Sequence, residues 1–326
     1  MKNRTISMLL LATTLAASCS TEQAVLTPRQ ENQFVTIYQP QGDKFFGPTT
    51  EFLEEGKWYD QWVPNDHTFI KDESGKWHIF GITHPEILSE PLSRGIHDGE
   101  YASFHAISSA TSFQKSIEEG HYIDLPKILT PYDRPDEILP NHAPYLIKKD
   151  GLYTMVYGHS PIRLATSPDL MEWTPQGELF SDSEGARDPN ILYHNGIYYI
   201  AYCSFRCVKM VSSTDMKSWS KPQVILETGG FDPESPSLIY NNDTFYLFVC
   251  SWDGNWDEKE IVGAYQQNAH VYQSDDLTNF GVGEEKQITI LNAHAPEIFQ
   301  DEQGDWYISS VEWPQRGVSV DRLYWE

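Results

Sequence analysis

Basic residues are scarce in this 326-residue chain: 23 Lys and Arg stand against 47 Asp and Glu, a formal net charge of −24. That balance excludes nucleic acid, whose phosphates call for a basic face, and disfavours a polyanionic substrate spread over a broad surface. Its plain consequence is solubility, and it leaves the choice among neutral ligands open. Cysteine is scarce too, at four. Beyond Cys19 the three others, Cys203, Cys207 and Cys250, follow no metal-binding spacing and are odd in number. At least one thiol is therefore free or pairs outside the chain, and the pairing of the rest stays open. Long apolar runs at helical spacing are absent as well, which argues against a helical fold.

Aromatics and turn formers are plentiful instead. Ten Trp, 18 Tyr, 15 Phe, 20 Pro and 21 Gly favour strands and turns. The N-terminus reads as a targeting segment. Lys2 and Arg4 precede an apolar stretch from Ile6 to Ala17, too short to span a membrane, which ends in Leu15-Ala16-Ala17-Ser18-Cys19. Small residues before a Cys resemble a bacterial lipobox, with Ala16 where Leu is commoner. The expectation is a lipoprotein signal peptide over 1–19. A lipid at Cys19 would anchor the chain to the outer membrane or another periplasmic membrane, placing it in the periplasm or at the cell surface. An ordinary secretory signal cut near the same place is the alternative. Residues 20–32 read as a polar tether and residues 33–326 as one domain.

That domain repeats itself. Five segments start polar, run into apolar residues, reach a turn and meet an aromatic two residues past a Gly or Asp. They open at Asn65, His142, Arg187, Glu234 and His294; their turns hold Gly75, Gly151, Gly196, Asp243 and Gly304; their aromatics are Trp77, Tyr153, Tyr198, Phe245 and Trp306. Strand, tight turn, strand is the reading. A Ser-x-Asp motif with an aromatic six residues after the Ser follows at Ser167, Ser213, Ser274 and Ser319, and in a looser form in HAISSATSF from His105. Its Ser and Asp suit a turn; its aromatic suits the space between sheets. Five units of about four strands predict an all-β, five-bladed β-propeller. The last unit lacks an outer strand, which residues near 33–60 are expected to supply so that no edge stays open. The spans 80–140 and 251–293 read as long functional loops.

In a propeller the innermost strands begin beside the central channel. Asp66 to Gly75 and Ala295 to Gly304 are nine residues, whereas Ala143 to Gly151, Asp188 to Gly196 and Ser235 to Asp243 are eight; one extra turn residue in blades one and five aligns all five positions. Asp66 then falls level with Asp188, and Glu234 one place earlier, beside His142, Arg187 and His294. Three acids in phase at one channel mouth suit glycosidic bond cleavage, in which one carboxylate attacks or activates water and a protonated one serves the leaving oxygen.

At these residues the chain resembles the five-bladed glycoside hydrolases of families 43 and 32, over roughly residues 33–326. The resemblance implies a role as nucleophile or general base for Asp66 in VPNDHTF. It implies that Asp188 in ARDPNI stabilises the transition state or tunes the acid, and that Glu234 in PESPSL is the general acid. RDP, Asn65-Asp66 and Glu-x-Pro look like family 32, which retains configuration on fructofuranosides. The lack of a trailing β-sandwich looks like family 43, which inverts on arabinofuranosides and xylosides. His67 stands where both families usually carry Pro. The reading taken here is a family 43-like inverting furanosidase acting on a carbohydrate.

Neighbours complete the expected site. Asn65, His67, His142 and Arg187 lie beside the acids as candidate sugar contacts, with an ion pair as the alternative for Arg187. Trp62 would form an apolar floor; Trp252 and Trp256 in CSWDGNW would form an outer wall. His294 corresponds to a blade-five His that helps hold a cation in some family 43 enzymes. The chemistry requires no cofactor, and calcium near His294 is the one cation left open, although imidazoles alone suit it poorly. Two rivals share the scaffold: a non-catalytic glycan-binding lipoprotein, against which the three in-phase acids argue, and a phosphorolytic enzyme, for which only Arg187 and Arg206 are placed to hold phosphate.

Overall fold

The computed structural model describes residues 26–88, 99–120, 122–137, 140–252 and 265–326. The expected signal peptide and residues 20–25 of the expected tether lie outside the described residues, as does Trp256.

Four antiparallel sheets follow one another along the chain, each with its strands in sequence order. Blade one comprises Trp62–Lys71, Trp77–Pro85, Ser103–Ser108 and Tyr122–Ile128. Blade two comprises Tyr145–Lys149, Leu152–Tyr157, Ile162–Ser167 and Thr174–Phe180. Arg187–His194, Ile197–Ser204, Cys207–Ser213 and Gln223–Glu227 make blade three. Asp232–Asn241, Thr244–Trp252, Tyr265–Ser274 and Gln287–Asn292 make blade four. Blade five, Ile298–Gln300, Trp306–Val311 and Val318–Trp325, completes the five-bladed propeller. The spans read as long loops thus carry the third and fourth strands of blades one and four.

Local chemistry explains the hairpins. In blades two, three and four the inner turns are two residues with positive φ: Asp150 and Gly151 (51° and 81°), Asn195 and Gly196 (50° and 82°), Asn242 and Asp243 (50° and 58°). This is the I′ geometry that matches strand twist. Blades one and five use longer turns, capped by Asp72, whose Oδ1 accepts from Lys76 N at 2.8 Å, and Asp301, whose Oδ1 accepts from Asp305 N at 3.0 Å. In the Ser-x-Asp turns, Ser167 Oγ accepts from Leu170 N at 2.8 Å and Asp169 Oδ1 from Glu172 N at 3.0 Å; Ser213 and Asp215 repeat this from Met216 N and Ser218 N at 2.9 Å.

The motif's aromatic fills the cleft to the preceding blade. Trp173 meets Phe80 edge-on with centroids 5.7 Å apart, Trp219 lies 6.1 Å from Phe180, and Trp325 lies 4.6 Å from Tyr246. Phe280 is buried among Ala201, Val208 and Leu226 of blade three. The looser copy in blade one is a short helix, Phe113–Glu119, N-capped by Ser112, and its Phe113 packs 5.1 Å from Phe299 and 4.7 Å from Tyr307 of blade five. Each such side chain stabilises the ring by about 1.5–3 kcal/mol on burial.

Closure comes from the N-terminal region. Val35–Tyr38 pairs with the 318–320 stretch of the last strand, inside the range expected to complete blade five. The tether reading of 20–32 needs correction at its end, because Pro28–Gln30 is a second strand, paired with Leu323–Trp325. The fifth Ser-x-Asp copy is not a turn: Asp321 lies inside the last strand, and its Oδ2 accepts from Asn32 N at 2.7 Å. A polar stretch gains strand structure there because the propeller offers it an unpaired edge. Among the described residues, no disulfide joins Cys203, Cys207 or Cys250.

Candidate active site

The expected register is present. Lys71, Lys148, Tyr193, Tyr240 and Gln300 pair with Trp77, Tyr153, Tyr198, Phe245 and Trp306. Each sits five residues after Asp66, Ala143, Asp188, Ser235 or Ala295, which are therefore equivalent. Ala143, Asp188, Ser235 and Ala295 also share a left-handed backbone, with φ of 37°, 55°, 47° and 46°, and each precedes a proline. Asp66, followed by His67, is not among them. Pairing slips at this level in blades one, three and four, between Pro64 and His67, Arg187 and Asn190, and Glu234 and Ser237. Such bulges turn side chains out of the sheet, and a left-handed backbone at a non-glycine residue is a conformation that the surroundings must hold in place.

The bulges bring Asp66, Asp188 and Glu234 into one network. Ser235 Oγ donates to Asp66 Oδ1, and Ser235 N donates to Asp188 Oδ2 at 3.3 Å. Arg187 Nη1 donates to Asp188 Oδ2 at 2.6 Å and to Glu234 Oε1 at 3.4 Å, while its Nη2 donates to Pro233 O at 2.7 Å. His142 Nδ1 lies 3.3 Å from Asp188 Oδ1, and its Nε2 lies 3.4 Å from Glu100 Oε2. Asp66 and Asp188 line a small cavity of about 30 Å³ together with the other strand starts, Tyr145, Asn190 and Glu297.

Their environments drive the three acids apart. Burial and the neighbouring Asp188 raise Asp66 to about 6, against His142 and Ser235. Burial raises Glu234 to about 8, with Arg187 opposing and the other two acids assisting. Asp188 is also buried, but the Arg187 guanidinium and His142 outweigh burial and hold it well below the usual carboxylate range. His142 is pushed up to about 9, since Asp188 and Glu100 overcome its burial. Near neutrality Asp66 and Asp188 are ionised and Glu234 is protonated, the division that acid–base chemistry requires.

The expected sugar contacts fare unevenly. Asn65 is half-buried beside Asp66, and Arg187 and His142 hold carboxylates. Trp62 is no floor: it is 3% exposed, packed with Phe45 and Leu53, and Lys127 Nζ stands 4.0 Å over its ring. His67 is buried in the channel wall, where its Nε2 meets Ser309 Oγ at 2.7 Å and burial lowers it to about 3. His67 adjoins Asp66, and alternation along the strand sends it to the other side; Trp62, four residues before Asp66, is separated from it by the slip in pairing between Pro64 and His67. The backbone of Trp252 pairs with Asp232 and Tyr265 in blade four; its side chain, expected in an outer wall, lies outside the description. His294 Nδ1 lies 2.9 Å from Val311 O, and burial lowers it to about 4. Calcium takes six to eight oxygens, and the described residues hold no group of three or more His, Cys, Asp or Glu suited to a metal. The residues around His294 do not fit that ion.

Two partners were missed. Ser235 stood in the ring of equivalent positions, but its bond to Asp66 was not foreseeable from spacing. Glu100, 2% exposed, lies in a connection outside every repeat, and no sequence signal marked it.

Comparisons with known proteins agree with this fold. Among solved structures, a native arabinanase of Bacillus subtilis superposes with a TM-score of 0.58 at 18% identity, covering 81% of this chain and 94% of that one. A β-xylosidase/α-arabinofuranosidase from a compost microbial metagenome gives 0.57 at 14% identity, over 88% and 94%. An arabinan endo-1,5-alpha-L-arabinosidase A of Aspergillus niger is 30% identical over 168 residues, 44% of this chain and 49% of the relative. The match thus spans about half the length of that relative. The sequence profile of glycosyl hydrolases family 43 matches residues 132–265 and 183–325. On that match, which takes in Asp188 and Glu234, the chain belongs to glycosyl hydrolases family 43.

Proposed function

We propose that the protein hydrolyses α-L-arabinofuranosidic bonds, with linear 1,5-linked arabinan as its substrate. The reading is supported by the network that joins Asp66, Asp188 and Glu234 through Ser235 and Arg187, with burial raising Asp66 and Glu234 while Arg187 and His142 hold Asp188 low. Asp66 serves as general base on a water, Glu234 protonates the leaving oxygen, and Asp188, held ionised by Arg187 and His142, stabilises positive charge developing on the sugar. Similarity to family members named as arabinanases supports the sugar. Fructofuranosides, the family 32 alternative, find no support among them. A lipid at Cys19, with the protein on the periplasmic side or at the cell surface, completes the proposal; incorporation of labelled fatty acid into wild type but not Cys19→Ala checks it.

The test is turnover on linear arabinan, aryl arabinofuranosides, aryl xylosides and fructo-oligosaccharides. Arabinan and aryl arabinofuranoside are the expected substrates. Asp66→Asn and Glu234→Gln are expected to lower kcat by 10²–10⁴-fold, and kcat/KM to rise through pH of about 6 and fall above about 8. NMR of the first-formed anomer is expected to show inversion. Turnover of fructo-oligosaccharides alone, or full activity in either variant, overturns the reading.

A further inference from the structure

His142 stands between two carboxylates drawn from different parts of the chain. Asp188 begins blade three, whereas Glu100 comes from the connection between the second and third strands of blade one. The segments carrying Glu100 and His142 are tied together, with Asn141 N donating to Glu100 O at 2.6 Å and Asn141 Nδ2 to Ser103 Oγ at 2.9 Å. Glu100 is 2% exposed and His142 7%. An imidazole with a carboxylate on each ring nitrogen is satisfied only when both nitrogens carry hydrogen. Among the described residues, Asp66 and His159 also face this ring, the His159 centroid 5.7 Å away, with Arg187 and Glu234 beyond Asp188.

We propose that Glu100 is a positioning residue for the reaction at this site: it fixes the plane and charge of His142, and through that ring holds the Asp188 carboxylate in its working orientation. The inference rests on the reading of the site given above. Glu100 is too buried to meet substrate; it reaches Asp188 through His142, and its charge also helps raise Asp66. A neutral amide at position 100 can donate to Nε2 as well as accept from it, so the ring is no longer held in its doubly protonated form and can meet Asp188 as a neutral imidazole through Nδ1–H alone. Partners at this remove from the reacting atoms tune a site by about 10–100-fold.

The test is Glu100→Gln, which preserves shape and removes the charge. Expected are a 10–100-fold fall in kcat, a KM within about twofold, and no further loss on adding Glu100→Gln to His142→Gln. Independently of activity, ¹⁵N-histidine NMR of the wild type, with His142 assigned through its contact with the His159 ring, is expected to show both ring nitrogens protonated at pH 7.5. In Glu100→Gln the same ring is expected to lose its proton at lower pH. A neutral His142 in the wild type, an unshifted titration in the variant, or additive losses in the double variant would overturn the inference. If the wild type cleaves no glycoside the functional reading fails, while the NMR outcome still decides whether Glu100 governs the His142 charge.

Discussion

At the scale of single residues, burial and pairing at the axis make stability depend on pH with a definite sign. His142 moves from its ordinary 6.5 to about 9 in the folded protein, so it stabilises fully below 6.5 and that contribution is lost as pH rises through 9. At 1.36 kcal/mol per pKa unit the contribution is on the order of 3 kcal/mol. Asp66 and Glu234 are raised, to about 6 and about 8, so folding opposes their ionisation and the cost grows above their ordinary values of 3.8 and 4.5. Buried His67 and His294, lowered to about 3 and about 4, act the other way and withdraw stability as pH falls below 6.5, so the thermal midpoint is expected to be highest near pH 6.5 and to fall toward pH 9. Asp188 acts oppositely, since its depressed value withdraws stability only below about 3.8. Thermal melts across pH check this, and Glu234→Gln is expected to flatten the alkaline decline. The acids themselves were legible in the sequence because they fall in phase within a repeat. Glu100 was not, since no repeat contains it, and the depth of Trp62 and His67 was not, since it depends on what the neighbouring blades place against them.

At the scale of elements, the inner two strands of each blade were legible and the outer two much less so. Inner hairpins are written in turn chemistry, Asp-Gly, Asn-Gly and Asn-Asp, and in an aromatic at fixed distance. Outer strands such as Thr174–Phe180 and Gln223–Glu227 carry many exposed residues and fewer constraints. The strands at residues 28–30 and 35–38 were least legible, because their partners come from the far end of the chain. Gly317 guards this junction. Its φ is +108°, and a Cβ there would collide with Tyr38 O, so Gly317→Ala is expected to lower the thermal midpoint by several degrees, an effect of about 2 kcal/mol or more. Asp321→Ala removes the acceptor for Asn32 N and is expected to cost about 1–2 kcal/mol. Urea titrations of both variants, with unchanged slope, measure these losses.

At the scale of the whole molecule, five blades meet through five aromatic-rich clefts, and none is dispensable without opening the ring. Deleting residues 26–38 exposes the last strand of blade five as a bare edge. Such a chain is expected to aggregate or to unfold over a broad temperature range, as size-exclusion chromatography and calorimetry would show. The junction also has a consequence in time. Asn32 and Asp321, which it joins, are 289 residues apart, whereas blades two, three and four are each assembled from neighbouring hairpins. During synthesis, residues 28–38 leave the ribosome long before their partners exist. The early segment must wait, unpaired, until residues 318–325 emerge. Because contacts between such distant segments form slowly, sealing the ring is the late event in this protein's maturation, and a channel mouth built from all its blades takes its working shape only then.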